Sequence, residues 1–143
     1  MDKRADKNES KDVEEELPPR WGVMPAKFGM VLEFLESLVG PEDIFGRYNI
    51  DRYLELFILC THSGRRYPGL GTALAKEALN RGQAKGFSLC VTEATSFYSQ
   101  KIFDRLGFET TKEAEFESFQ PNGKIVFPKH EPHSTVKLMV KKM

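Results

Sequence analysis

An apolar, strand-like run from Leu54 to Thr61 leads into Arg66-Tyr67-Pro68-Gly69-Leu70-Gly71, and an alanine-rich run with helical spacing starts at Thr72. A strand that enters a helix through an R-x-x-G-x-G turn commits the chain to an α/β arrangement, because a strand buried on both faces needs helices to cover it. The same turn is built like a diphosphate loop. Glycines let backbone N–H groups approach oxygen atoms, the following helix presents the positive end of its dipole, and Arg66 brings a fixed cation to the mouth. The ligand expected there is a nucleotide-like anion.

Three diphosphate loops share this outline. A P-loop ends in Gly-Lys-Ser/Thr, whereas Gly71 is followed by Thr72-Ala73, so no lysine reaches a terminal phosphate. A dinucleotide fingerprint needs a third glycine where this chain has Leu74, although Glu93 lies near the distance at which that fold places its acidic residue. The third form, Gln/Arg-x-x-Gly-x-Gly/Ala between a strand and a helix, fits every position. A strand-to-helix turn with convenient glycines and no ligand stands beside it as the bland alternative.

The 143 residues, with 40% hydrophobic content, suit one domain. Basic and acidic residues balance at 21 each, which leaves no electrostatic footprint for nucleic acid. Cys60 and Cys90 both sit in apolar runs and are expected to be small core residues in a reducing, cytoplasmic setting. No hydrophobic signal region opens the chain, and its apolar runs, Phe57 to Cys60 and Phe87 to Val91, are too short to cross a bilayer. A metal site is not expected, since His62, His130 and His133 lack helical ligand spacing and no cysteine pair accompanies them.

Residues 1–20 mix charges with almost no large apolar side chain and end in Pro18-Pro19, the composition of a disordered tail. The folded domain is expected over residues 21–143. Met30, Val31, Phe34, Leu35 and Leu38 recur at helical spacing before Gly40-Pro41, and Ile44 to Ile50 reads as a connection. Tyr53 to Thr61 reads as a central strand. Leu70, Ala73, Leu74, Ala78 and Leu79 form the stripe of the next helix, ended by Gly82 or Gly86. Phe87, Leu89 and Val91 alternate in a strand, and Phe97, Lys101, Ile102 and Leu106 follow a helical pattern closed by Gly107. Ala114 to Phe119, Lys124 to Phe127 and Val136 to Val140 read as three further strands, the first two joined by a turn at Pro121-Asn122-Gly123.

The segment Ile102-Phe103-Asp104-Arg105-Leu106-Gly107-Phe108 resembles the helix end of GNAT N-acetyltransferases, an aromatic and two charged residues before Leu-Gly-Phe. Together with Arg66 to Gly71, in the same order and separated by a strand, it resembles the GNAT superfamily. Ala94-Thr95-Ser96-Phe97-Tyr98-Ser99, Gly123 to Phe127 and Glu131-Pro132-His133 are similar, more narrowly, to the insect arylalkylamine N-acetyltransferases. The likeness covers roughly residues 27–143 and lacks the amino-terminal part of those enzymes. It implies a mixed sheet flanked by helices, truncated at the amino terminus. Acetyl-CoA would be the cosubstrate and a small aryl- or alkylamine the acceptor, and a homodimer could cover the sheet edge left open.

The resemblance also distributes roles. Acetyl-CoA would lie along Leu59, Cys60 and Thr61, where the strand splays from its neighbour and frees backbone groups for the pantetheine arm, and over Arg66, Tyr67, Pro68, Gly69, Leu70, Gly71 and Thr72. Glu55 occupies the place of the general base of histone-type enzymes, or is a strand-edge glutamate in an ion pair. Ser99, with Thr95 one turn before it, matches hydroxyls implicated as the acid that serves the thiolate, or Thr95 caps the helix with Ser99 on its first turn. Phe103 stands where many GNAT enzymes carry a tyrosine acid and has no proton to give. Tyr98 reads as a wall or core aromatic, and His133 as a wall of the amine pocket or a solvated loop residue. Two other activities compete: a CoA-binding remnant without catalysis, and a protein acetyltransferase.

Overall fold

The computed structural model describes residues 26–62, 64 and 68–143. The expected tail over residues 1–20 lies outside them. The chain forms two compact units, one reaching to Tyr53 and the other spanning Leu54–Met143. In the first, helix α1 (Ala26–Val39) buries Phe34 and Leu38, one turn apart. It stops at Gly40 as its sequence predicts, with the Gly40 N–H on the Glu36 carbonyl at 2.7 Å. Ile44 to Ile50 is more than a connection, because α2 (Ile44–Tyr48) occupies it. Its signals were two caps: Asp43 accepts from the Gly46 N–H at 2.9 Å, and Asn49 closes the turn in the left-handed region at φ 51°.

The second unit contains β1 (Leu54–Glu55), α3 (Leu70–Ala84), β2 (Leu89–Ala94), α4 (Phe97–Arg105), β3 (Glu109–Glu115) and β4 (Thr135–Lys142). They make a four-stranded sheet in the order β1-β2-β4-β3. β1 runs parallel to β2, while β4 is antiparallel to both β2 and β3. A mixed sheet follows from the connections: α3 carries the chain over from β1 to a parallel β2, and β4 returns between β2 and β3.

One face of the sheet holds the main core. Cys90 and Ala94 of β2 and Met139 of β4 pack there with Ala75 and Leu79 of α3 and with Phe103 and Phe108. Leu89, Val91, Val136, Leu138 and Val140 are buried as well, so residues on both faces of the two middle strands are covered. The sequence suggests burial on both faces for Tyr53 to Thr61 instead, and for β2 shows only the alternation of Phe87, Leu89 and Val91.

Three strand expectations need correction. Tyr53 to Thr61 is not a central strand; only Leu54–Glu55 pairs, at the sheet's edge. Ala114 to Phe119 ends as a strand at Glu115, and Phe116–Ser118 is a 3₁₀ turn. Lys124 to Phe127 forms no strand, because Phe127 folds back onto Phe119, with ring centroids 5.9 Å apart. The turn at Pro121-Asn122-Gly123 does form, with the Gly123 N–H on the Gln120 carbonyl at 3.1 Å. Among the described residues, no helix is long and apolar enough to cross a membrane.

Candidate active site

Of the glycine loop, Pro68 to Gly71 are described, whereas Arg66 and Tyr67 lie outside the described residues. Gly69 caps α3 with φ 80° and ψ 0°, in the left-handed region. A Cβ there would touch nothing within 4 Å, so the backbone conformation demands glycine, not lack of space. Gly71 serves a different purpose: its Cβ would stand 3.0 Å from Ile102 Cδ1, so its absence lets α4 approach α3. The helical ladder of α3 opens with the Ala73 N–H on the Gly69 carbonyl at 2.9 Å. The N–H groups of Leu70, Gly71 and Thr72 precede it, at the positive end of the helix.

These groups face a cleft of about 520 Å³, lined by Thr61, Gly69, Leu70, Gly71 and Thr72 on one side and by Tyr98, Lys101 and Arg105 of α4 on the other. Lys101 Nζ lies 4.4 Å from the Phe97 ring centroid. A helix start opposite two cations suits a phosphate-bearing ligand.

The gap between β1 and β2 continues this cleft. Beyond the paired Glu55 and Val91, the Leu56 N–H donates to the Val91 carbonyl at 3.0 Å, and the Thr92 hydroxyl donates to the Leu56 carbonyl at 2.8 Å. Phe57 to Cys60 then leave the sheet. Two cavities fill the divergence. One of about 490 Å³ is lined by Leu59, Cys60, Thr61, Gly71, Tyr98 and Ser99 among others. A smaller one, about 100 Å³, lies between Leu56–Leu59 and Thr92–Ser96 and also touches Ser99 and Phe103. Thr61, Gly71, Tyr98 and Ile102 are common to the first two spaces, and Leu59, Ser96 and Ser99 to the last two. The result is one continuous groove from the helix start to the sheet gap.

The two cysteines differ. Cys60 is exposed on the groove and is not the core residue its apolar neighbours predict. Cys90 is buried, and burial above all pushes its thiol up to about 12, only partly offset by a hydrogen bond with the Leu56 backbone. It stays protonated and inert at neutral pH.

At the start of α4, the cap is Ser96 and not Thr95. Ser96 Oγ accepts from the Ser99 N–H at 3.1 Å, and Ser99 Oγ accepts in return from the Ser96 N–H at 3.3 Å, a reciprocal capping box. The Ser99 hydroxyl donates to the Ser96 carbonyl at 3.0 Å. Thr95 is exposed, just outside the helix, and lines the small cavity. His133 is not a solvated loop residue: its Nδ1 accepts from the Phe97 N–H at 3.1 Å, and its ring meets Tyr98 edge-on at 5.5 Å. Accepting at Nδ1 leaves the proton of the neutral ring on Nε2.

Glu55 sits on β1 opposite Val91. Two residues along β2, on the same face as Val91, comes Glu93. Its Oε2 is buried and has no hydrogen-bond partner. Burial first, and the charge of Glu55 second, raise its carboxyl from 4.5 to about 7. The sequence carries a signal for this residue: Leu89, Val91 and Glu93 alternate, so a carboxylate occupies an apolar position. Among the described residues no group of three or more His, Cys, Asp or Glu is placed to hold a metal ion.

No protein-family model matches the chain. Solved structures do. Arylalkylamine N-acetyltransferase 2 from Aedes aegypti superposes with a TM-score of 0.82 at 24% identity, over 99% of this chain and 63% of its own. A mosquito arylalkylamine N-acetyltransferase like 5b gives 0.76 at 24% identity, over 85% and 57%. The Drosophila melanogaster polyamine N-acetyltransferase that forms N-acetylagmatine gives 0.70 at 21%, over 100% and 66%. The chain thus spans less than two thirds of the length of each of these proteins. With its mixed four-stranded sheet flanked by helices, the chain has the fold of the GNAT acetyltransferases.

Proposed function

We propose that the protein binds acetyl-CoA and transfers its acetyl group to a small aryl- or alkylamine. The continuous groove carries this reading. It offers a diphosphate the first turn of α3 with Lys101 and Arg105, offers an extended arm the parting strands at Leu59, Cys60 and Thr61, and ends beside hydroxyl and carboxylate side chains. Arg66 and Tyr67 would complete the diphosphate site. The neighbouring arylalkylamine and polyamine N-acetyltransferases support the same chemistry.

The reaction needs a base for the ammonium proton and an acid for the departing thiolate. Ser99 is the acid in this proposal. Its hydroxyl sits where the two inner cavities meet, and its bond to the Ser96 carbonyl fixes the oxygen without burying it. Thr95, on the rim of the smaller cavity, is a second hydroxyl within the same space. Phe103 is buried, with its ring against Phe108 at 5.0 Å, and serves the core.

Calorimetry with acetyl-CoA tests the reading. Binding to the wild type should weaken at least about tenfold in Gly69→Asp and in Arg66→Glu, where a carboxylate meets the diphosphate. A folded wild type that does not bind acetyl-CoA would sink the proposal. Binding without turnover on an amine panel would instead identify a CoA-binding protein, and turnover confined to peptides a protein acetyltransferase.

A further inference from the structure

We infer that Glu93 is the base of the acetyl transfer, taking a proton from the acceptor's ammonium group inside the gap between β1 and β2. The inference rests on the acetyltransferase reading above and assigns a role that the sequence pointed toward Glu55. Three observations carry it.

The first is position. Glu93 and Ser99 line the same small cavity, yet they come from opposite sides of the sheet. Ser99 belongs to α4, which packs on the face of Cys90, Ala94 and Met139. Glu93 alternates with those positions and lies on the other face, with Leu89 and Val91. The parting strands make a slot through the sheet where an acetyl thioester can be approached from the Glu93 face while its sulfur leaves toward Ser99.

The second is satisfaction. A buried carboxylate oxygen without a partner is costly, and proteins keep such groups where a ligand supplies the missing donor. Glu93 Oε2 is such an oxygen. An ammonium group supplies both the hydrogen bond and the opposite charge.

The third is the charge around it. Glu55, across the parallel pair and on the same face, is the charged group that acts on Glu93. The segment beside it contributes Leu56, Phe57 and Leu59, α4 contributes Ser99 and Phe103, and β4 places Leu138 opposite it. None of these titrates. Lys137 and Lys141 of β4 stand opposite Ala94 and Cys90, out of step with Glu93. Burial and one like charge therefore bring its carboxyl to about 7, where a base is both half available and strong enough to compete for an ammonium proton. Glu55 becomes the neighbour that tunes it.

The step balances as follows. One ammonium proton passes to the Glu93 carboxylate and from there to solvent. The freed lone pair forms the C–N bond at the thioester carbonyl. As the C–S bond breaks, its electron pair leaves on sulfur, and the second nitrogen proton ends on that sulfur through the Ser99 hydroxyl.

The experiment uses the full chain, with tryptamine and agmatine as acceptor probes and acetyl-CoA binding measured in parallel. Glu93→Gln should lower kcat/KM about 100-fold or more with acetyl-CoA affinity unchanged, and Glu93→Asp should recover part of the loss. The acid limb of the wild-type pH profile should fall near neutrality, and Glu55→Gln should move it to lower pH. Glu93→Gln within about twofold of wild type would overturn the inference, as would a Glu55→Gln variant that loses the activity instead. Wild type that binds acetyl-CoA but acetylates neither probe overturns the base assignment and leaves the CoA site standing. Wild type that does not bind acetyl-CoA overturns the acetyltransferase reading itself.

Discussion

Ser99 serves the fold and the groove at once. Its hydroxyl faces the groove, but it also closes the capping box with Ser96. A rate loss in Ser99→Ala therefore needs a stability measurement beside it. We expect Ser96→Ala, which removes the cap, to cost about 1 kcal/mol in urea unfolding, and Ser99→Ala to slow transfer by more than any comparable stability loss explains. Glu93 gives a prediction of opposite sign. Its carboxyl holds a proton more tightly in the folded chain, at about 7, than at its ordinary 4.5. Between those values the folded state binds more protons than the unfolded one, so stability falls as pH rises through the window. Glu93→Gln should flatten that fall and raise Tm above neutrality relative to wild type, a result that thermal unfolding across pH would show. The hydroxyl residues were legible from the sequence because they carry a recognisable order. Glu93 was legible only as an exception to an apolar alternation, and its burial is a tertiary fact.

At the scale of elements, the sequence was clearest where one turn decides the structure. Gly40 stops α1, and the glycine turn starts α3, because these positions depend on local backbone chemistry. Gly69→Ala should cost about 1 kcal/mol through its positive φ alone, and because a methyl group there meets nothing, acetyl-CoA affinity should change far less than in Gly69→Asp. Unfolding and calorimetry on the same variant check both halves. Strands were harder. β3 reads ETTKEAE and lies at an edge, mostly in solvent, so it has no apolar face for a period of two to reveal. The opposite error occurred at Leu54 to Thr61, where apolar residues predicted a strand and the chain peels away after Glu55. Apolar composition reports burial or a ligand wall equally well, and there it accompanies the walls of the groove.

For the whole molecule, the consequence of that departure is exposure. Phe57 is 62% and Ile58 77% exposed, beside an edge strand of only two residues. Adjacent exposed apolar side chains beside an edge strand favour association. We expect the purified protein to show concentration-dependent self-association in light scattering, and Phe57→Asp with Ile58→Lys to abolish it. A wild type that stays monomeric at all accessible concentrations would count against an apolar contact at this edge.

Cys60 gives the molecule an occupancy gauge. Its thiol stands open on the groove, while that of Cys90 is shut in the core with its proton held fast. A maleimide should therefore add once, at Cys60, and leave Cys90 untouched until the chain unfolds. Any ligand lying along the parting strands would shield that sulfur, so the rate of a single mass shift would report how full the groove is, without a chromophore, a coupled assay or knowledge of the acceptor.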